Sequence, residues 1–305
     1  MILFSPTETT IGRFAPSPTG SLHFGSLIAA IASYLSVRHQ QGKWLLRIED
    51  VDIHRKQKGA SSAIIHALES YGFEWDGDIV FQSQRTSAYE EALAAISDKT
   101  YPCSCTRKEL QAAASTGKFS YIYPGFCREK LKNKTANQLS IRVKTNTDQI
   151  CFDDRCQPEK FCQNIKKEIG DFVLKRSDGL FAYQLAVVVD DAWQGITEVV
   201  RGADLFDNTP RQIYLQNLLG FSHPDYLHFP VAIDHSGKKL SKQNLSPEIS
   251  LASKRLNLIN ALDFLGQQPP ALAEFSSLDN VWLWAIKHWN ADRIPKKLSK
   301  RIEYE

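Results

Sequence analysis

The sequence has no long hydrophobic run. A membrane-spanning helix requires about 18 consecutive apolar residues, and no such stretch occurs. The first ten residues lack the basic stretch followed by an apolar segment that is typical of a secretory signal. Internal repeats and low-complexity tracts are absent as well. These absences favour a globular protein without a membrane contact, and we expect it to stay in the cytoplasm.

A strong charge of either sign is also missing, because 37 basic residues face 34 acidic ones and the formal net charge is +3. This balance neither requires nor excludes a nucleic-acid partner. The last segment is mildly basic, with Lys296, Lys297 and Lys300 close together. A solvated surface explains these charges at least as well as an RNA contact.

Cysteines are few, and six in a cytoplasmic chain do not indicate a disulfide framework. Cys103 and Cys105 form a Cys-x-Cys pair, and Tyr123 and Cys127 follow as Tyr-x-x-x-Cys. Three thiolates and a fourth ligand atom of oxygen or nitrogen suit zinc. From the spacing alone, a zinc site and three buried thiols are equally good interpretations. The other three cysteines follow no such pattern, and we interpret them as core or surface thiols: Cys151, Cys156 and Cys162.

One strand, loop and helix unit near the start of the sequence organises the rest. Residues 11–14 alternate as in a strand, which the prolines directly after it end because proline cannot donate to a sheet. Apolar positions at helical spacing predict a helix over 25–41, with Gly42 as a left-handed C-terminal cap. A nearly continuous apolar run over 43–48 predicts a second, parallel strand. The two strands and the helix between them therefore form one βαβ crossover.

The loops of this unit predict where a ligand binds. In doubly wound sheets, ligands bind at the carboxyl ends of the strands. The loop with His23 and the strand end with Glu49 would both lie there. His23 directly precedes the predicted helix, whose free N–H groups and positive dipole end favour a phosphate. Taken alone, a proline-rich turn with a surface histidine is the alternative interpretation of this segment.

The rest of the sequence predicts an α/β protein whose doubly wound parallel sheet is interrupted once. From residue 99, cysteines and short strand-like runs replace the alternation of helices and strands, with strands predicted at 139–144, 171–176 and 181–190. The alternation returns with strands at 196–200 and 228–233. We predict four parts: a first half of the catalytic domain over 1–98, an inserted α+β subdomain over 99–191, a second half over 192–245 and a short helical region over 246–305.

Four motifs occur together in one order, and their combination is specific. They are Arg13-Phe-Ala-Pro-Ser-Pro-Thr-Gly, His23-Phe-Gly-Ser, Arg47-Ile-Glu-Asp and Lys239-Leu-Ser-Lys-Gln. Residues 10–245, which contain them, resemble the catalytic domain of class I glutamyl-tRNA synthetases. The resemblance implies the Rossmann-type fold of class I aminoacyl-tRNA synthetases, with L-glutamate and ATP, accompanied by Mg²⁺, as substrates.

The resemblance also implies roles for single residues. His23 and Lys242 match the catalytic pair, and the segments around them match the ATP site: His23, Gly25, Ser26, Lys239, Ser241 and Lys242. The glutamate site is matched by Arg13, Phe14, Ala15, Pro16, Ser17, Glu49, Tyr183 and Arg201. The first signature of the family usually ends in a second histidine, where this sequence has Ser26. This difference removes one possible contact to ATP.

The cysteine segment resembles that of a shortened subfamily, the glutamyl-Q tRNA(Asp) synthetases. That resemblance implies one structural zinc ion held by Cys103, Cys105, Tyr123 and Cys127. The residues after Lys242 are too few for both a stem-contacting region and an anticodon-binding domain. The implied reaction is activation of glutamate independently of tRNA, followed by transfer to queuosine in the anticodon loop of tRNA(Asp), with no obligate protein partner.

Two alternatives stay open at this point. A truncated glutamyl-tRNA synthetase could charge an ordinary tRNA end or a small acceptor. A catalytically silent, RNA-binding relative is the other alternative, and Ser26 motivates it. Assays for adenylate formation and for glutamate transfer separate these three readings.

Overall fold

The structure is a computed structural model that describes residues 9–113, 115–116, 121–132, 139–240 and 249–302. Its strands are β1 Ile11–Phe14, β2 Lys43–Ile48, β3 Val80–Phe81, β4 Thr100–Cys103, β5 Ser115–Thr116, β6 Tyr121–Ile122, β7 Ser140–Val143, β8 Gln149–Phe152, β9 Phe161–Asn164, β10 Val173–Lys175, β11 Glu198–Gly202, β12 Asp225–Phe229, β13 Val231–Ile233 and β14 Ser299–Arg301. Its α-helices are α1 Phe24–Arg38, α2 Ala60–Ser70, α3 Thr86–Ala95, α4 Arg107–Ala113, α5 Ile165–Glu168, α6 Tyr183–Trp193, α7 Thr209–Leu219, α8 Lys254–Phe264 and α9 Leu278–His288.

Parallel strands form the centre of the molecule. β1, β2 and β3 lie side by side in that order, and α1 connects β1 to β2, which confirms the predicted βαβ crossover. β11 and β12 form a second parallel pair. The two groups meet where the Thr197 backbone N–H donates to Ile11 O at 2.9 Å. β1 and β11 therefore bring residues that are far apart in sequence to neighbouring strand ends.

The strands from β4 to β10 pair antiparallel with one another. β4, β7 and β10 form one sheet with β7 in the middle, and β8 and β9 form a hairpin. β7 and β10 lie within the predicted strands at 139–144 and 171–176. The boundaries of the four predicted parts stay a prediction.

The strand predicted at 181–190 is wrong, because these residues belong to the helix α6. Three consecutive valines favour a strand by propensity. The pattern of a short, fully buried apolar run, however, does not distinguish a strand from a helix. Seven residues of α6 are buried, from Leu185 to Asp191, so tertiary packing decides the conformation. Residues 177–179 form a turn, across which the Arg176 backbone N–H donates to Leu180 O at 2.8 Å, and Lys175 and Phe181 form an isolated bridge.

Two smaller predictions about backbone conformation are also wrong. α1 ends at Arg38, and Gln41, with φ 57°, adopts the left-handed conformation expected of Gly42. Gly42 is needed for another reason, since a Cβ atom there would lie 2.3 Å from Thr10 O. The strand predicted at 228–233 is two strands, because Pro230 separates β12 from β13.

The C-terminal helices pack on the first half of the sheet through an aromatic cluster. The Trp282 ring of α9 lies 5.0 Å from the Tyr34 ring of α1 and 4.9 Å from the Phe73 ring, measured between centroids. The Trp44 ring of β2 completes the cluster, 5.5 Å from Phe73. All four side chains are buried, so these helices share one hydrophobic core with β1, β2 and α1.

Two of the cysteines form a disulfide, which corrects their interpretation as free thiols. Cys151 and Cys162 lie directly opposite each other on β8 and β9, with Cα atoms 4.1 Å apart and a bond between their sulfur atoms. The sequence pattern could not reveal this pair, because it depends on the register of the hairpin. Cys156, between them in sequence, is a buried thiol, as interpreted. No helix among the described residues is both long and apolar enough to span a membrane.

Candidate active site

A cleft of about 580 Å³ opens where β1, β2, β11 and β12 end. Twelve of the fourteen residues that the sequence predicts for the glutamate and ATP sites line it: Arg13, Phe14, Ala15, Pro16, Ser17, His23, Gly25, Ser26, Glu49, Tyr183, Arg201 and Lys239. The other two, Ser241 and Lys242, lie outside the described residues. Residues from both halves of the sheet and from α6 therefore meet around one cavity.

His23 and the start of α1 form one wall of the cleft. His23 is the N-cap of α1, and its Nδ1 accepts a hydrogen bond from the Ser26 backbone N–H at 3.4 Å. A Cβ atom at Gly25 would lie 3.1 Å from both His23 Cε1 and Leu240 O. Gly25 therefore allows the backbone at Leu240 to approach the helix end. The N–H groups and dipole of this end give the wall a positive potential.

Lys239 lies at the edge of the same wall. Its Nζ donates to Asp204 Oδ2 at 2.5 Å, and both side chains are about two-fifths exposed. Asp204 also lines the cleft. The pair therefore holds the lysine beside the cavity, and an exposed ion pair of this kind is weak enough to exchange for a phosphate.

A buried network of charges supports the opposite wall. Arg13 binds Asp191 through two hydrogen bonds, Nε to Oδ1 at 3.1 Å and Nη2 to Oδ2 at 3.2 Å. Arg47 Nη2 donates to the same Asp191 Oδ1 at 2.7 Å and lies 3.5 Å from Glu49 Oε1. Arg47 Nη1 donates to Gln194 Oε1 at 2.6 Å. One carboxylate therefore joins two guanidinium groups, and the second of these contacts Glu49.

Sequence reasoning gave Asp191 no part in the site, and it named Arg47 in a motif without assigning it a role. Asp191 follows Asp190 in α6, and two adjacent acidic residues in an otherwise apolar helix are the only local signal. Arg47 is fully buried in β2, where an isolated charge would be unfavourable. A buried arginine within a strand implies a buried acidic partner, but the sequence does not say which.

The two carboxyl groups of this network differ in protonation behaviour. Burial raises the pKa of Glu49 to about 7, although Arg47 and Arg13 partly counteract this shift. Burial also acts on Asp191, but the attraction of Arg13 and Arg47 outweighs it and holds the pKa of Asp191 below its usual value. Asp191 therefore stays ionised, and Glu49 is a carboxyl whose charge changes near neutral pH.

Arg201 is held from behind by β12. Its Nε donates to His228 Nε2 at 2.9 Å and its Nη2 donates to Thr209 Oγ1 at 2.8 Å. His228 Nδ1 in turn donates to Asp154 Oδ2 at 2.6 Å. Arg201 Nη1 lies 3.4 Å from the Tyr183 hydroxyl, which also faces the cleft. Sequence reasoning predicted Arg201 and Tyr183 as site residues, but it did not predict His228, Thr209 or Asp154.

The four predicted metal ligands lie together, away from the cleft. The sulfur atoms of Cys103, Cys105 and Cys127 are all within 4.8 Å of one another, and Cys105 Sγ and Cys127 Sγ are 3.6 Å apart. The Tyr123 hydroxyl lies 3.4 Å from Cys103 Sγ and 3.6 Å from Cys105 Sγ. A tetrahedral zinc ion requires ~3.8 Å between sulfur ligands and ~3.5 Å between sulfur and oxygen. The cluster therefore fits a zinc ion.

Comparison with known proteins identifies the family. Residues 10–300 match the family model "tRNA synthetases class I (E and Q), catalytic domain". The glutamyl-Q tRNA(Asp) synthetase of Pseudomonas paraeruginosa is 48% identical over 293 residues, which are 95% of this chain and 97% of that protein. The protein of the same name from Dechloromonas aromatica is 49% identical over 292 residues, 94% of this chain and 96% of that protein. The chain belongs to the glutamyl-Q tRNA(Asp) synthetase family of class I synthetases.

Solved structures agree with this family. The glutamate-tRNA synthetase of Elizabethkingia anophelis has a TM-score of 0.77 at 26% identity, and the match covers 96% of this chain and 68% of that chain. A glutamate tRNA ligase from Elizabethkingia meningosepticum, in complex with its amino acid, has a TM-score of 0.78 at 25% identity, covering 97% and 67%. These matches confirm the predicted class I α/β fold. The chain is therefore an aminoacyl-tRNA synthetase, an enzyme of the ligase class.

Proposed function

We propose that the enzyme activates L-glutamate with ATP, without needing tRNA, and transfers the glutamyl group to queuosine at the wobble position of the tRNA(Asp) anticodon. One observation carries the proposal: groups suited to a dicarboxylic amino acid and groups suited to a nucleotide line the same cleft. The names of the relatives support the choice of acceptor. A cytoplasmic location stays a prediction.

The glutamate half of the site needs fixed cations and one anion. Arg201 supplies N–H groups to a carboxylate of glutamate, and Tyr183 contributes the hydroxyl beside it. Glu49 accepts the α-ammonium group. Asp191 already binds the Nε and Nη2 of Arg13, which leaves its Nη1 for the role that the resemblance implies. Arg13 therefore acts through its charge and its remaining nitrogen, while the backbone and side chains after it shape the wall: Phe14, Ala15, Pro16 and Ser17.

The nucleotide half of the site brings positive charge to the reacting anions. A carboxylate oxygen of glutamate attacks the α-phosphorus of ATP, glutamyl-adenylate forms, and pyrophosphate leaves. Because both reactants are anions, catalysis depends on positioning and charge neutralisation. We assign this work to the helix end with His23, Gly25 and Ser26, and to the Lys239-Leu-Ser-Lys-Gln segment with Ser241 and Lys242. The Mg²⁺ ion enters the site bound to ATP.

The second step transfers glutamate from the adenylate to the tRNA. A hydroxyl of the cyclopentene ring of queuosine attacks the glutamyl carbonyl carbon, and AMP leaves. The acceptor is a base in an anticodon loop, so the modified base must be splayed out to reach the cleft. The cysteine cluster would hold a structural zinc ion, since Cys103, Cys105, Tyr123 and Cys127 leave no open position for a substrate.

Exchange of labelled pyrophosphate into ATP tests the activation step. We expect wild-type protein to catalyse exchange that depends on glutamate and does not require tRNA. Lys242→Ala should abolish the exchange, because it removes the cation assigned to the phosphates. Lys238→Ala is the matched control, since Lys238 is exposed and should leave the rate unchanged. Unchanged exchange in the Lys242→Ala protein would remove this lysine from the mechanism.

Transfer of labelled glutamate tests the acceptor. The purified enzyme is offered tRNA(Asp) that contains queuosine and tRNA(Asp) that lacks it. We expect label only on the queuosine-containing tRNA. Label on both, at the acceptor end, would instead identify a truncated glutamyl-tRNA synthetase. Binding of tRNA with no adenylate formed would identify a catalytically silent relative.

A further inference from the structure

We infer that His228 is a positioning residue for glutamate binding: as a neutral acceptor fixed by Asp154, it holds the Arg201 guanidinium in the orientation that binds a carboxylate of the substrate. The inference rests on the proposed function of the cleft and adds the residues that make Arg201 a fixed rather than a mobile cation. It follows from the arrangement of strands, hydrogen bonds and burial behind Arg201.

The strands place the two residues side by side. Arg201 on β11 and His228 on β12 are directly paired in the parallel register, so their side chains leave the sheet next to each other. Arg201 is 5% exposed, and His228 and Thr209 are 0% exposed. The ring of Phe206 lies against the His228 ring at 5.1 Å and that of Tyr226 lies at 6.1 Å. Packing therefore leaves the imidazole little freedom to turn.

The hydrogen bonds determine which nitrogen of His228 carries the proton. Arginine can only donate, so the His228 Nε2 that faces Arg201 Nε must accept. The proton then lies on Nδ1 and is donated to Asp154 Oδ2. Asp154 is itself fixed, because its Oδ1 accepts from the Cys156 backbone N–H at 3.0 Å. Burial lowers the pKa of His228 to about 4, which keeps the ring neutral near neutral pH.

Thr209 closes the arrangement. Its Oγ1 accepts from Arg201 Nη2 at 2.8 Å and lies 3.2 Å from His228 Nε2, whose single lone pair accepts from Arg201 Nε. With the contact from Nη1 to the Tyr183 hydroxyl, three of the five N–H groups of Arg201 are used inside the protein. At most two N–H groups are left for a ligand, which is the number that a bidentate carboxylate accepts.

Replacing His228 in two ways separates positioning from packing. In His228→Asn, the amide nitrogen can still donate to Asp154, but the side chain ends short of Arg201. In His228→Gln, the amide oxygen can reach Arg201 and accept from its Nε. The matched control is His223→Asn, because His223 is exposed and its ring contacts Asn217 rather than a cleft residue.

The readout is the glutamate-dependent exchange of pyrophosphate into ATP, analysed as KM and kcat. We expect His228→Asn to raise the KM for glutamate by about tenfold or more, because an unfixed guanidinium loses part of its charge-assisted contact. The kcat and the KM for ATP should stay within about threefold of wild type. His228→Gln should restore most of the glutamate KM. A partly unfolded variant lowers kcat but leaves KM unchanged, so misfolding cannot imitate this result.

Binding of glutamate by calorimetry on the same proteins completes the test. Suppose that the wild-type enzyme binds glutamate and exchanges pyrophosphate, and that the KM of His228→Asn for glutamate is unchanged. This result would overturn the inference and leave the proposed function intact. An Asn variant whose KM for ATP rises as much as its KM for glutamate would overturn it too. Wild-type protein that neither binds glutamate nor supports exchange would overturn the proposed function, and the inference with it.

Discussion

At the scale of single residues, the site depends on charges that are buried and shared. Arg13 and Arg47 would repel each other if Asp191 did not lie between them, since both are almost completely buried. Removing one member of such a group leaves an uncompensated charge, which is far more costly than the pair is stabilising. The network therefore fixes the side chains around Glu49 before any substrate binds.

Glutamate binding should depend on pH through Glu49. Burial raises the pKa of Glu49 to about 7, and only the ionised form attracts the α-ammonium group of glutamate. Lowering the pH from 8 to 6 leaves about one-tenth of Glu49 ionised, so the KM for glutamate should rise by about tenfold. Pyrophosphate exchange measured across this range checks the prediction.

The control for this pH effect is Glu49→Gln. The KM of this variant for glutamate should be high at every pH. It should also lose the change between pH 6 and 8 that the ionisation of Glu49 causes. The stability of the wild-type protein should change with pH in the opposite direction. Below the pKa that Glu49 has in the unfolded chain, its protonated form favours the folded state, and this contribution is lost as the pH rises through about 7. A wild-type KM for glutamate that is constant from pH 6 to 8 would contradict the assignment of Glu49.

At the scale of elements, the Trp282 side chain joins α9 to two helices of the first half of the molecule. Trp282 is buried within the aromatic cluster, and its Nε1 donates to Tyr71 O at 2.8 Å. Tyr71 follows α2 directly, so the hydrogen bond joins α9 to the end of α2. The aromatic contacts then continue to Tyr34 on α1. α9 thus stabilises the helix whose N-terminus forms the nucleotide wall of the cleft.

Trp282→Ala should therefore lower the free energy of unfolding by about 3 to 5 kcal/mol, because it opens a cavity in the shared core. Leu283→Ala is the matched control on the same helix. Leu283 is 67% exposed, so its loss should change stability by less than about 0.5 kcal/mol. Urea unfolding of both variants measures the difference. Equal stability in the two proteins would show that α9 does not share the core.

The hairpin of β8 and β9 is closed by the Cys151–Cys162 disulfide. A cross-link over a separation of 11 residues reduces the entropy of the unfolded chain, which stabilises the fold by about 2 to 3 kcal/mol. The double variant Cys151→Ser, Cys162→Ser should lose this amount. Dithiothreitol should destabilise wild type and leave the double variant unchanged. Denatured, metal-free protein should titrate four thiols before reduction and six after it, whereas six from the start would rule out the disulfide.

At the scale of the whole molecule, three regions have distinct tasks. The sheet and α1 carry the cleft, the C-terminal helices support them, and the cysteine cluster stabilises its own small core. Cys103 and Cys127 are buried with Tyr101 in that core, and none of these residues lines the cleft. Metal binding should therefore affect the stability of this region more than the chemistry in the cleft.

Metal analysis of purified variants tests this division. Cys103→Ser and Cys127→Ser should each lose most of the bound zinc, because three protein ligands hold a structural ion less tightly than four. Cys156→Ser is the control, since Cys156 is a buried thiol near Pro295 and lies outside the cluster. The first two variants should melt at a lower temperature and still exchange pyrophosphate. Full zinc content in both would contradict the site.

Local patterns in the sequence were enough for the frame of the site. Periodicity and proline positions predict β1, α1 and β2, because these features act within a few residues of each other. Since parallel strands must end at one edge, the same patterns predict that His23 and Glu49 face one cavity. The motifs and their resemblance add ten further residues that line the cleft, the last of which is Lys239.

Only the tertiary structure decides the features that depend on distant partners. Arg13 and Asp191 are 178 residues apart in sequence, and no local pattern pairs them. The propensity of the three valines in α6 favours a strand, but this segment is a helix that packs against α3 and α7. The pKa of Glu49 and the neutral state of His228 follow from burial and from charges on other strands. The sequence by itself determined twelve of the residues that line the cleft, and packing decided their charges and orientations, because electrostatic interactions act through space and not along the chain.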